Sequence, residues 1–112
     1  MTTVPGSASG LAFTDATHLN WSTAASANGY DLVRGTLSTL RSSGFTAATD
    51  ACDANDVAGT SFTETHVPSV ADGDWYLVRA EDSCGGGSYD DGSASQSGSR
   101  DAGIAASGNA CP

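Results

Sequence analysis

The sequence predicts an all-β fold, a sandwich of short strands with one short helical turn, and three observations carry that prediction. Thr, Ser and the 14 Gly are abundant while Leu, Ile, Met and Phe are scarce, so the residues that build long helices are missing. Apolar side chains recur at every second position in several short runs, the period of a half-buried strand. Turn-forming Gly, Asn and Asp separate those runs. A chain of 112 residues holds one core, and we assign 1–99 to the sandwich and 100–112 to a C-terminal tail tied back by a disulfide.

Ser9 to Thr14 alternates, with Leu11 and Phe13 on one side. After a polar turn, His18 to Ser22 alternates again and sends Leu19 and Trp21 inward. Ala27-Asn28-Gly29 tolerates positive φ and leads into Tyr30 to Arg34, whose core face is Tyr30 and Leu32. Gly35 ends this third strand. Leu37 and Leu40 stand three apart behind Thr36, which predicts a single helical turn capped by that threonine. Residues 45 to 59 read as a long Asp-rich loop pinned by Cys52. Thr60 to Thr65, around Phe62, and Asp74 to Glu81, with Tyr76, Val78 and Ala80 inward, are the next strands, joined by a corner over 68 to 73. Gly85-Gly86-Gly87 reads as a hairpin tip and Ser88 to Ser99 as a weak last strand.

Thirteen acidic residues face four arginines and no lysine, for a formal net charge of −9. Such a surface repels a phosphate backbone and an anionic bilayer, so nucleic acid and membrane insertion are excluded as partners. No run approaches the length of a membrane span, and residues 1 to 20 lack the pattern of a signal peptide. Cys52, Cys84 and Cys111 lie far apart, without a C-x-x-C pair or histidines at zinc spacing, which leaves a disulfide as the use for two of them. Cys111 gains most from a tie; Cys52 is its preferred partner and Cys84 the alternative. An oxidising compartment follows, and with it the expectation that an export signal lies upstream of Met1 in a longer protein.

Leu19-Asn20-Trp21, Tyr30-Asp31-Leu32 and Tyr76-Leu77-Val78-Arg79-Ala80 together resemble the core strands of a fibronectin type III domain over about residues 4 to 99. The fold this resemblance implies is a seven-stranded, immunoglobulin-like β-sandwich. Tyr30-Asp31-Leu32-Val33-Arg34-Gly35, Cys84-Gly85 and Cys111-Pro112 are more similar still to a cysteine-containing variant that closes large secreted bacterial proteins. That likeness implies an extracellular or cell-surface setting and a role in spacing, adhesion or assembly, without catalysis. Arg34-Gly35 is followed by Thr36, so no Arg-Gly-Asp integrin motif is present, and a chain without Lys cannot form a Lys–Asn crosslink.

Candidate sites are few. His18 and His66 are the only histidines, and no G-x-S-x-G, H-E-x-x-H or Walker pattern accompanies them, so no enzyme is expected. Asp50, Asp53, Asn55 and Asp56 offer four hard oxygen donors within seven residues, a supply that suits Ca²⁺, although the spacing is not that of an EF-hand and a solvated acidic loop is the plainer reading. No other cofactor is expected. Alternation places Val33, Trp75 and Leu77, with Arg79 beside them, on the outer face of one sheet. Either the Leu37–Leu40 turn or the tail covers that patch, or it is the interface for a neighbouring domain of the same parent protein or another copy of the chain. The expected function is an extracellular structural or docking module; the alternatives are a subunit of a self-assembling filament and a calcium-stiffened or carbohydrate-binding accessory module.

Overall fold

A computed structural model describes residues 9–15, 17–24, 27–67, 71–82, 85–86, 88–89 and 100–111. Two antiparallel sheets enclose an apolar interior. The first runs β1 (Ser9–Phe13), β2 (His18–Ser22), β5 (Ser61–Thr63). The second runs β4 (Thr49–Val57), β3 (Gly29–Thr36), β6 (Asp74–Asp82), β7 (Gly85–Gly86), the last being a two-residue stub.

The interior forms where the alternating faces meet. β2 buries every second residue, Leu19 and Trp21, and from the opposite sheet come Tyr30, Leu32, Val78 and Ala80. Trp21 meets Tyr30 edge to face at 5.8 Å. The Tyr30 hydroxyl accepts a hydrogen bond from the Ala24 backbone N–H at 2.8 Å, so this tyrosine ties side chain to backbone. The Tyr76 hydroxyl, by contrast, donates to the Asp74 carboxylate at 3.5 Å.

Four expectations need correction. Residues 45–59 are not a loop: they form α2 (Phe45–Ala48) and the nine-residue edge strand β4. The apolar signal of β4 is thin, and its pairing with β3 carries irregular register that blurs any alternation. The helical turn is longer than expected, α1 (Leu37–Ser43), and Thr36 does not cap it with its side chain. The cap comes from Asp72, far along the chain, which accepts hydrogen bonds from the Ser38 N–H at 3.2 Å and the Ser38 hydroxyl at 2.6 Å. Gly85 and Gly86 pair with Asp82 and Glu81, so they lie on a strand rather than at a hairpin tip. The expected last strand falls outside the described residues except for Ser88 and Tyr89, as does Cys84.

The tail beyond residue 99 is a helix, α3 (Arg100–Ala106), whose Ile104 is 1% exposed. Buried apolar contact, and not the cystine alone, therefore holds it. No helix among the described residues is long and apolar enough to cross a membrane.

Candidate functional site

Of the two readings open for the outer face of the four-stranded sheet, covered or interface, the structure shows the covered one. Val33 is fully buried, Trp75 is 8% exposed and Leu77 is half-buried. They join Ala48, Tyr89, Ile104 and Cys111 in a second apolar cluster, with Leu37, Leu40 and Phe45 packed at its margin. Phe45 meets Trp75 edge to face at 5.1 Å. Gly35 makes this possible, because a Cβ there would collide with the Ala48 carbonyl oxygen and the Trp75 ring. The physical reason for the covering is area: each Å² of apolar surface removed from water contributes about 25 cal/mol, and α1, α2 and α3 supply the matching side chains.

Cys52 and Cys111 are joined, with Sγ atoms 2.06 Å apart across 59 residues. The bond links the edge strand β4 to the segment after α3, at the border of the second cluster.

Arg79 lies under that segment. Its Nε donates to Asp31 Oδ2 at 2.8 Å, and its guanidinium stands 3.6 Å from Glu81 Oε1 and 5.2 Å above the Tyr89 ring. Its Nη2 donates to the Cys111 carbonyl at 3.4 Å. Asp31, fully buried, also accepts the Asp56 backbone N–H at 3.0 Å. The carboxylates of Asp31, Asp56 and Glu81 gather within 4.8 Å of one another, the one grouping among the described residues with metal-ligand spacing. The Arg79 guanidinium already supplies positive charge to it, so a divalent ion would compete with a built-in cation.

The four expected calcium donors do not converge. Asp50 is exposed and accepts the Thr36 hydroxyl at 2.6 Å. Asp53 turns between the sheets and accepts Arg34 Nε at 3.1 Å. Asn55 is exposed, and Asp56, at a φ of 55°, leans toward Asp31. A strand sends neighbouring side chains to opposite faces, which is why donors adjacent in sequence separate in space.

The cluster that sequence reasoning missed surrounds Arg34. Its guanidinium is 3.1 Å from Asp53 and 3.8 Å from Glu64. His66 Nδ1 lies 2.6 Å from Asp74 Oδ2, and the His66 backbone N–H donates to Glu64 Oε1 at 2.7 Å. The Tyr76 hydroxyl completes the group through Asp74 at 3.5 Å. Burial pushes the Asp53 carboxyl up to about 6, the Glu64 hydrogen bond adds to this, and Arg34 opposes it. Burial alone would also raise Glu64, but the hydrogen bonds from Asp53 and the His66 backbone, with the Arg34 charge, hold it below its ordinary value. Burial and the surrounding carboxylates raise the Tyr76 hydroxyl. The signal was present in the period: the inward rows Tyr30-Leu32, Phe62 and Tyr76-Val78 each continue by two residues into Arg34, Glu64 and Asp74.

No protein-family model, curated protein or solved structure matches the chain.

Proposed function

We propose that the chain is a non-catalytic extracellular module, a stiff spacer or docking unit of a secreted or surface protein, built as a fibronectin type III-like sandwich. The observation that carries the reading is the double closure of the four-stranded sheet. One face packs on the other sheet, and the second is sealed by three short helices and the Cys52–Cys111 bond. A small domain closed on both sides and crosslinked gains resistance to unfolding, the property a spacer outside the cell requires. The three-on-four strand arrangement, with Trp21, Tyr30, Leu32 and Val78 between the sheets, supports the family-level fold.

The outer face of β3 and β6 no longer serves as the docking surface, since Val33 and Trp75 are buried. The filament reading drew on that patch and loses its main support. Contacts with neighbours fall instead to the polar remainder of the surface.

Light scattering at high concentration, joined to limited proteolysis with and without reductant, tests the proposal. The oxidised chain should stay monomeric and resist cleavage, and reduction should open 100–111 to protease first. Self-association of the oxidised chain, or cleavage indifferent to reductant, would sink the spacer reading. An experimental structure with β5 beside β4 rather than β2 would end the fibronectin type III assignment.

A further inference from the structure

Two carboxylates, Asp53 and Glu64, meet the Arg34 guanidinium, with Asp74 close enough to act on its charge, and the donors among the described residues fall short. Arg34 Nε serves Asp53 Oδ1, the His66 backbone N–H serves Glu64 Oε1, and His66 Nδ1 and the Tyr76 hydroxyl serve Asp74 Oδ2. Asp53 Oδ2 and Glu64 Oε2 remain, both buried and neither within hydrogen-bond distance of a donor among the described residues, Arg34 Nε standing 3.8 Å from Glu64 Oε2. Native interiors rarely leave such atoms unpaired, and two carboxyl groups that each lack a donor are satisfied together by a single proton. Their positions give that proton a structural role. Asp53 belongs to β4 in one sheet, and Glu64 follows β5 in the other.

We propose that Asp53 and Glu64 share one proton across the seam between the two sheets, Asp53 donating it to Glu64, so that the sheets are clipped together in mild acid and the clip opens when the proton leaves. Loss of the proton leaves two buried anions against one Arg34, with Asp74 adding a third negative charge nearby. The charged and titratable groups facing the pair are Arg34 from β3, His66 after β5, and Asp74 and Tyr76 from β6.

The elevation of Asp53 to about 6 agrees with this geometry, and it fixes the sign. The folded chain holds the Asp53 proton more tightly than the unfolded chain, whose value is 3.8, so this stabilisation is complete below that value and is lost as pH rises through about 6. Glu64, held below 4.5, acts oppositely: its contribution is present above that value and is lost in stronger acid. Stability therefore peaks in mild acid, between the two.

Thermal melts of the intact, oxidised chain from about pH 5 to pH 8 test the proposal, beside the variants Asp53→Asn and His66→Gln. His66 is included because its imidazole is hydrogen-bonded to Asp74 beside the pair, so its removal separates an effect of that contact from one of Asp53. In the unsubstituted chain Tm should fall by about 5 °C across the range, equivalent to a roughly tenfold rise in the unfolding constant. Asp53→Asn, which supplies a permanent N–H donor, should flatten the curve, and His66→Gln should leave the fall in place. A flat curve for the unsubstituted chain, a full fall in Asp53→Asn, or a fall abolished only by His66→Gln each overturns the proposal. Should Asp53→Asn fail to fold, the carboxyl carbon-13 titration of Asp53 in the unsubstituted chain decides: a midpoint above about 5 supports the shared proton, and one below overturns it.

Discussion

The outer faces of the two sheets differ as sharply as any two regions of the molecule. On the three-stranded sheet, His18, Asn20 and Ser22 point outward from β2 and are exposed, while Leu19 and Trp21 between them are buried. On the four-stranded sheet every residue of β3 from Gly29 to Val33 is buried, inward and outward alike. One sheet has a single apolar side, and the other is apolar on both and acquires a second core of short helices. The difference teaches that a strand buried on both faces belongs to a three-layer region, even inside a fold that is otherwise a two-layer sandwich.

That contrast can be broken from either side. Gly35→Val should have the largest effect, because its side chain would occupy the space of the Trp75 ring and the Ala48 carbonyl; a loss of about 3 kcal/mol or outright misfolding is expected in urea titration. Leu32→Ala and Ile104→Ala probe the two cores separately. Both residues are almost fully buried, and each should cost about 2 to 4 kcal/mol; if Ile104→Ala costs under about 1 kcal/mol, the second core is a loose covering rather than a core. Cys111→Ser should cost about 2 to 3 kcal/mol, read as a lowered denaturation midpoint that added reductant does not lower further. Asn20→Ala, on the bare face, should stay within about 0.5 kcal/mol of the unsubstituted chain, and a larger loss would mean that this face too has a partner.

The first core was legible because period-two alternation alone names Leu19, Trp21, Tyr30, Leu32 and Val78: the last four form one cluster between the sheets, and Leu19 is buried. The second core was not. Its members come from β3, α2, β6, Tyr89, α3 and the segment around Cys111, and no local pattern links Ala48 to Ile104. The edge strand β4 hid for a related reason: its aspartates read as turn residues, whereas pairing with β3 fixes their backbone whatever their propensity. Among the candidate sites, Arg79 shows the limit most clearly. Alternation placed it outward, and it is outward, but Tyr89 and the Cys111 carbonyl lie over it and convert a surface charge into a half-buried anchor.

Trp21 and Trp75 sit one in each core, and neither indole N–H has a hydrogen-bond partner among the described residues. The protein thus carries two intrinsic fluorophores that report on separate layers. With either indole replaced by Phe, the oxidised chain should give a single melting midpoint by both emissions, whereas under reductant the Trp75 emission should shift to the red at a lower temperature than that of Trp21.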